Sequence, residues 1–165
     1  MSTVVEHPNR RLLISLPGGY DDARIRYETL VPAVDFAAFA TASKWEDVVA
    51  EIKRQAPHGF LRYFSSDVAP AMRGSASVWP CSEYLVGNHT IAERMYRHDP
   101  GVMLHAPLRT LIYDAGQGTV LAVDQPSLLF ASYGRPEITA VGVELDGLLA
   151  VLVELLGAEV PAALR

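Results

Sequence analysis

The chain carries one cysteine, Cys81, so no intrachain disulfide can form, which fits a reducing compartment. Basic clusters are also missing: none is longer than Arg10-Arg11, and the net charge is −5. That balance argues against both the basic face of a nucleic-acid binder and the polybasic patch that draws a protein to anionic lipid. The longest strongly apolar stretch, Leu145 to Leu156, contains Asp146 and Glu154 and is too short to span a bilayer. Glu6, Pro8 and Asn9 interrupt the basic-then-apolar order of a signal peptide. The expectation is a cytoplasmic protein with no nucleic-acid and no membrane partner.

Chemical signatures are sparse as well. There is no His-x-x-x-His, no Cys-x-x-Cys, no paired carboxylates and no glycine-rich phosphate loop, since Gly116-Gln117-Gly118 reads as a hairpin turn. Cys81 lies between Pro80 and Ser82 with no thiolate-stabilising neighbour, so it reads as a small buried hydrophobe.

What the chain does have is apolar content of 50% over 165 residues, enough for one core and one domain. Residues 1–22 read as an N-terminal arm or edge strand, and 23–165 as a single α+β domain. Ile25, Tyr27, Thr29 and Val31 alternate with charged residues, which predicts a strand. Trp45, Val48, Val49 and Ile52 predict a helix, opened by a capping box of Ser43 and Glu46. Phe60–Phe64 and Glu83–Val86 read as strands, with a turn-rich loop between them. Asn88 is placed to cap a helix from His89 to His98, and Val102 to Asp114 reads as one long strand. A hairpin turn, a partner strand Thr119–Asp124, a short helix from Pro126 and a last helix from Pro136 complete the order. The layout is α+β, an antiparallel or mixed sheet of about five strands with helices packed on one face.

Strand alternation supplies the candidate site. It puts Ala106, Leu108, Thr110 and Ile112 on one face, and His105, Arg109, Leu111 and Tyr113 on the other. If Leu85 points to the core, Tyr84 joins His105 and Arg109, with Asn88 and His89 at the adjacent turn. Arg109 would hold a carboxylate and His105 would titrate near neutral pH. The plainer reading is a solvated or partner-covered sheet face, with Arg109 paired to a carboxylate. His89 and Glu93 share a helix face and could reach one ion. A single His89 or His105 could also serve as an axial haem ligand. Met95, Met103 and Tyr113 read as core or pocket lining.

The runs Tyr84-Leu85-Val86-Gly87-Asn88, Arg97-His98-Asp99-Pro100-Gly101-Val102 and Ala106-Pro107-Leu108-Arg109 resemble a bacterial family, domain of unknown function 302. The similarity extends from about Arg24 to Leu156 and implies a small α+β domain that pairs as a homodimer, with no settled activity. His89 stands where that family commonly has proline, and His105 where it has an aromatic or aliphatic residue.

The first expectation is therefore a dimeric small-molecule-binding domain whose pocket involves Tyr84, Asn88, His105 and Arg109, with His89, Met103 and Tyr113 beside it. The loop Ser65–Pro80 would cover it. The alternatives are an enzyme with His105 as general acid or base and Arg109 as oxyanion binder, and a haem or metal protein using His89 or His105. No cofactor is assigned.

Overall fold

In the computed structural model, which describes residues 1–165, the alternating apolar segments pair into one antiparallel sheet. Its strands are β1 (Arg11–Ser15), β2 (Leu61–Asp67), β3 (Cys81–Gly87), β4 (Leu108–Asp114) and β5 (Thr119–Asp124). They run in the order β1-β5-β4-β3-β2. Five helices accompany them: α1 (Tyr20–Leu30), α2 (Trp45–Gln55), α3 (His89–Tyr96), α4 (Pro126–Ala131) and α5 (Pro136–Leu155). The fold is a single α+β domain.

Alternation decides which sheet face is covered. Leu12 and Ile14 of β1, Tyr84 and Val86 of β3, Leu108, Thr110 and Ile112 of β4, and Leu121 and Val123 of β5 are buried. They share one core with Tyr27 of α1, Met95 of α3, Phe130 of α4 and the inner stripe Ile138, Val141, Leu145, Leu149 and Leu152 of α5. Burial of this kind is the main favourable term in folding. On the opposite face, Leu13 remains 61% exposed.

Ile25 to Val31 is not a strand; it belongs to α1 and the turn after it. Ala23, Tyr27 and Val31 are buried four residues apart, while Ile25 is exposed. Asp21 and Asp22 in the first turn suit the helix dipole, and Arg24 pairs with Glu28 one turn on. The helical spacing wins because it alone presents an unbroken apolar edge to β4. The fifth strand is supplied instead by β1 at the sheet edge.

The long strand expected from Val102 is also shorter. A 3-10 turn spans Pro100–Leu104, held by Asp99, whose Oδ1 accepts the Gly101 N–H at 2.8 Å. Ala106–Pro107 is a cis peptide bond. Pro107 has no N–H for a ladder, so β4 starts at Leu108. His105 therefore lies on a turn rather than on a strand. The capping box expected at α2 does not form either: Lys44 holds the cap position without a side-chain hydrogen bond.

Two features lock α4 and α5 to the sheet. Asp146, buried on α5, accepts the Ser127 N–H at 2.9 Å and the Gln125 side-chain amide at 2.7 Å. Gln125 in turn reaches the Ala163 carbonyl and accepts from Arg10. Gly142 lets the helices touch: a Cβ there would lie 3.0 Å from the Phe130 Cβ and 3.1 Å from the Ser127 Cα.

Candidate functional site

The turn from β3 into α3 is built by Asn88. Its Oδ1 accepts the Thr90 N–H at 3.0 Å, the Ile91 N–H at 3.3 Å and the Thr90 hydroxyl at 2.7 Å. This is the helix cap expected of asparagine here. Its Nδ2 donates to the Gly59 carbonyl at 3.1 Å, tying the turn to the segment before β2.

Beside this turn lies a cavity of about 130 Å³. Its wall is apolar, with Val86, Ile91, Ala92, Met95, Leu108 and Phe130 among the lining side chains. Met103, Pro107, Asn88 and His89 line it too. No charged side chain lines it. An apolar cavity of about 150 Å³ accepts benzene, so this one matches a single small ring and is far too small for a porphyrin.

His89 is one polar feature of that wall. Tyr63 Oη accepts the His89 backbone N–H at 3.0 Å, and the same hydroxyl lies 2.7 Å from His89 Nδ1. At that distance the phenol can donate to Nδ1, an arrangement in which the ring proton sits on Nε2. The Phe39 and Trp45 rings stand 5.2 and 6.5 Å from the imidazole, edge-on and tilted. Burial pushes the His89 pKa below its ordinary value, so the ring is neutral at pH 7.

The other expected residues do not converge with it. Tyr84 opposes Thr110, and Leu85 opposes Arg109, so Tyr84 and Arg109 lie on opposite sheet faces. Tyr84 is buried, stacks near Tyr27 at 4.9 Å, and donates to Glu28 at 2.9 Å. Burial first, and then the Glu28 bond against that of Ser82, pushes its pKa well up. The premise that Leu85 points inward fails because Tyr84 finds its hydrogen-bond partner on α1, whose helical character the alternation had hidden.

His105 and Arg109 do line one surface cleft of about 580 Å³, together with His7, Asp124 and Met103. Arg109 is 3.0 Å from Glu83 and its side chain is 70% exposed. His105 packs near Tyr133, Phe130 and His7, and its pKa is lowered by burial and then by His7, against Asp124. Tyr113 and Arg109 line a further cleft of about 800 Å³ on the uncovered sheet face, with Met72 and Trp79 of the 65–80 loop also in its wall. Cys81 lines it too, and burial pushes its thiol up, helped by Glu83 and Asp67.

Glu93, which shares a helix face with His89, pairs with Arg97. No three His, Cys, Asp or Glu side chains gather in a metal-ligating group. No helix is long and apolar enough to cross a membrane.

The family model described as domain of unknown function DUF302 matches residues 38–155. The chain belongs to that family. A crystal structure of an uncharacterized conserved DUF302 protein from Bacillus stearothermophilus shares the fold, with a TM-score of 0.65 at 16% identity. The match covers 88% of this chain and 96% of that one. No curated protein matches.

The cavity falls within the DUF302 segment, yet most of its wall was not singled out from sequence. Tyr63, Ile91, Ala92, Ala106 and Phe130 read as ordinary strand, helix or turn residues, and only the fold brings them to Asn88 and His89. The available signals were Asn88 and His89, where β3 ends and α3 begins, with Met95 and Met103 as core or pocket lining.

Proposed function

We propose that this DUF302 chain is a small-molecule-binding domain, and that the cavity beside Gly87-Asn88 is its binding site. The observation that carries this reading is a preformed apolar hollow with three hydrogen-bonded polar side chains at its wall, Tyr63, Asn88 and His89. Binding sites of this kind are concave, mostly apolar and furnished with few placed polar groups. Of the residues expected at the site, Asn88, His89 and Met103 line the hollow, while Tyr84, His105, Arg109 and Tyr113 serve elsewhere.

Benzene tests it. A ligand that binds only the folded state raises the melting temperature. Saturating benzene raises it in the wild type and leaves it unchanged in Ala92→Leu, whose added methylenes occupy the hollow. No shift in the wild type sinks the reading.

The uncovered sheet face favours a second copy of the chain as partner. Leu13, Leu111 and Tyr113 form its apolar centre, with the exposed Trp79 and Met72 in the same cleft. Its charges come in opposite pairs, Arg11 with Asp124 and Arg109 with Glu83. A patch carrying both signs equally complements its own copy about a twofold axis.

A further inference from the structure

We infer that the ligand of the cavity is a compact neutral molecule carrying one hydrogen-bond acceptor, which takes the Nε2–H of His89. This rests on the reading of the cavity as a binding site and names the chemistry that the site selects.

Elimination leads there. A charged ligand would lose its hydration against a wall with no Lys, Arg, Asp or Glu, and an unpaired buried charge is strongly disfavoured. The polar groups of the wall are then few. Asn88 spends its oxygen on α3 and donates to Gly59. The Tyr63 hydroxyl is shared between the backbone nitrogen and Nδ1 of His89. Gly87 pairs across the sheet with Leu61, and Pro107 has no N–H. His89 Nε2 has no protein partner, and the only other side-chain donor to spare at the wall is the second N–H of the Asn88 amide. With Tyr63 as the donor to Nδ1, Nε2 carries the proton and can only donate. Tyr63 is thus a positioning residue: it sets the tautomer, and the Phe39 and Trp45 rings hold the imidazole plane. The size of the hollow limits the ligand to about one six-membered ring.

Benzene and pyridine have one shape and differ by one acceptor, so their affinities separate shape from the hydrogen bond. Dissociation constants for both would be measured by titration calorimetry above neutral pH on the wild type, His89→Phe, His89→Gln and Tyr63→Phe. The inference predicts that the preference for pyridine over benzene falls about 3- to 10-fold in His89→Phe, the worth of one neutral hydrogen bond. His89→Gln, which keeps a donor, retains most of it, and Tyr63→Phe loses part. Benzene affinity stays within about 2-fold throughout, showing that the hollow itself persists. Nitrogen-15 spectra of the wild-type imidazole show the proton on Nε2. A pyridine preference unchanged in His89→Phe, or a proton on Nδ1, overturns the inference while leaving the binding site standing. If neither probe binds the wild type, the binding reading itself falls, and this inference with it.

Discussion

The Tyr63 hydroxyl contacts both the backbone nitrogen of His89, at 3.0 Å, and its Nδ1, at 2.7 Å. One phenol on β2 therefore holds both the backbone of the first residue of α3 and its ring. Because that ring also lines the cavity, the bond joins the local folding of the β3–α3 turn to what the cavity can recognise.

The histidines give the stability a pH dependence of known sign. His89 and His105 are both pushed below the ordinary 6.5, chiefly by burial. As pH falls, the unfolded chain takes up protons before the folded one does. The stability held above about pH 6.5 is therefore lost progressively below it. Urea midpoints measured from neutral to mildly acidic pH should fall, and His89→Phe should fall less steeply than the wild type. Equal slopes would remove His89 from the account.

Gly142→Ala should destabilise although alanine is the better helix former. Its Cβ would press on the Phe130 Cβ and the Ser127 backbone at 3.0 and 3.1 Å. Overpacking of this sort costs about 1–3 kcal/mol, which outweighs the gain of about 1 kcal/mol in propensity. Denaturant unfolding decides the sign.

Asp146→Ala removes the acceptor for the Ser127 N–H and the Gln125 amide. The Ser127 N–H, left without an acceptor, costs about 1–3 kcal/mol, while the Gln125 amide keeps Ser127 Oγ and the Ala163 carbonyl. The variant should lose more stability than Gly142→Ala, with the exchange protection of α4 amides falling first.

Much of this architecture is legible in the chain, and the misreadings have common causes. Asn88 marks the β3–α3 turn because few residues cap a helix so well, and Leu108 to Tyr113 alternates as expected. Tyr27 belongs to both a two-residue and a four-residue apolar period, so α1 passed for a strand. His105 passed for a strand residue because Val102 to Tyr113 is mostly apolar, and the end of the 3-10 turn shows in no periodicity. The partners of His89, Tyr63, Phe39 and Trp45, are distant in sequence and carry no local sign of their meeting.

Leu111→Arg places a charge at the centre of the uncovered sheet face, where Leu111 lines the cleft with Leu13 and Tyr113. If that face seats a second copy, light scattering should show a dimer for the wild type and a monomer for the variant. The variant's circular dichroism should be unchanged. A wild-type monomer at high concentration would refute the pairing.

The binding claim is tested most directly by methyl resonances of the cavity wall during a benzene titration. The account predicts saturable shifts at Ile91, Met95 and Met103, absent in Ala92→Leu, with Met72 on the far face unmoved. Shifts confined to Met72 and Leu111, or none that saturate, would contradict it.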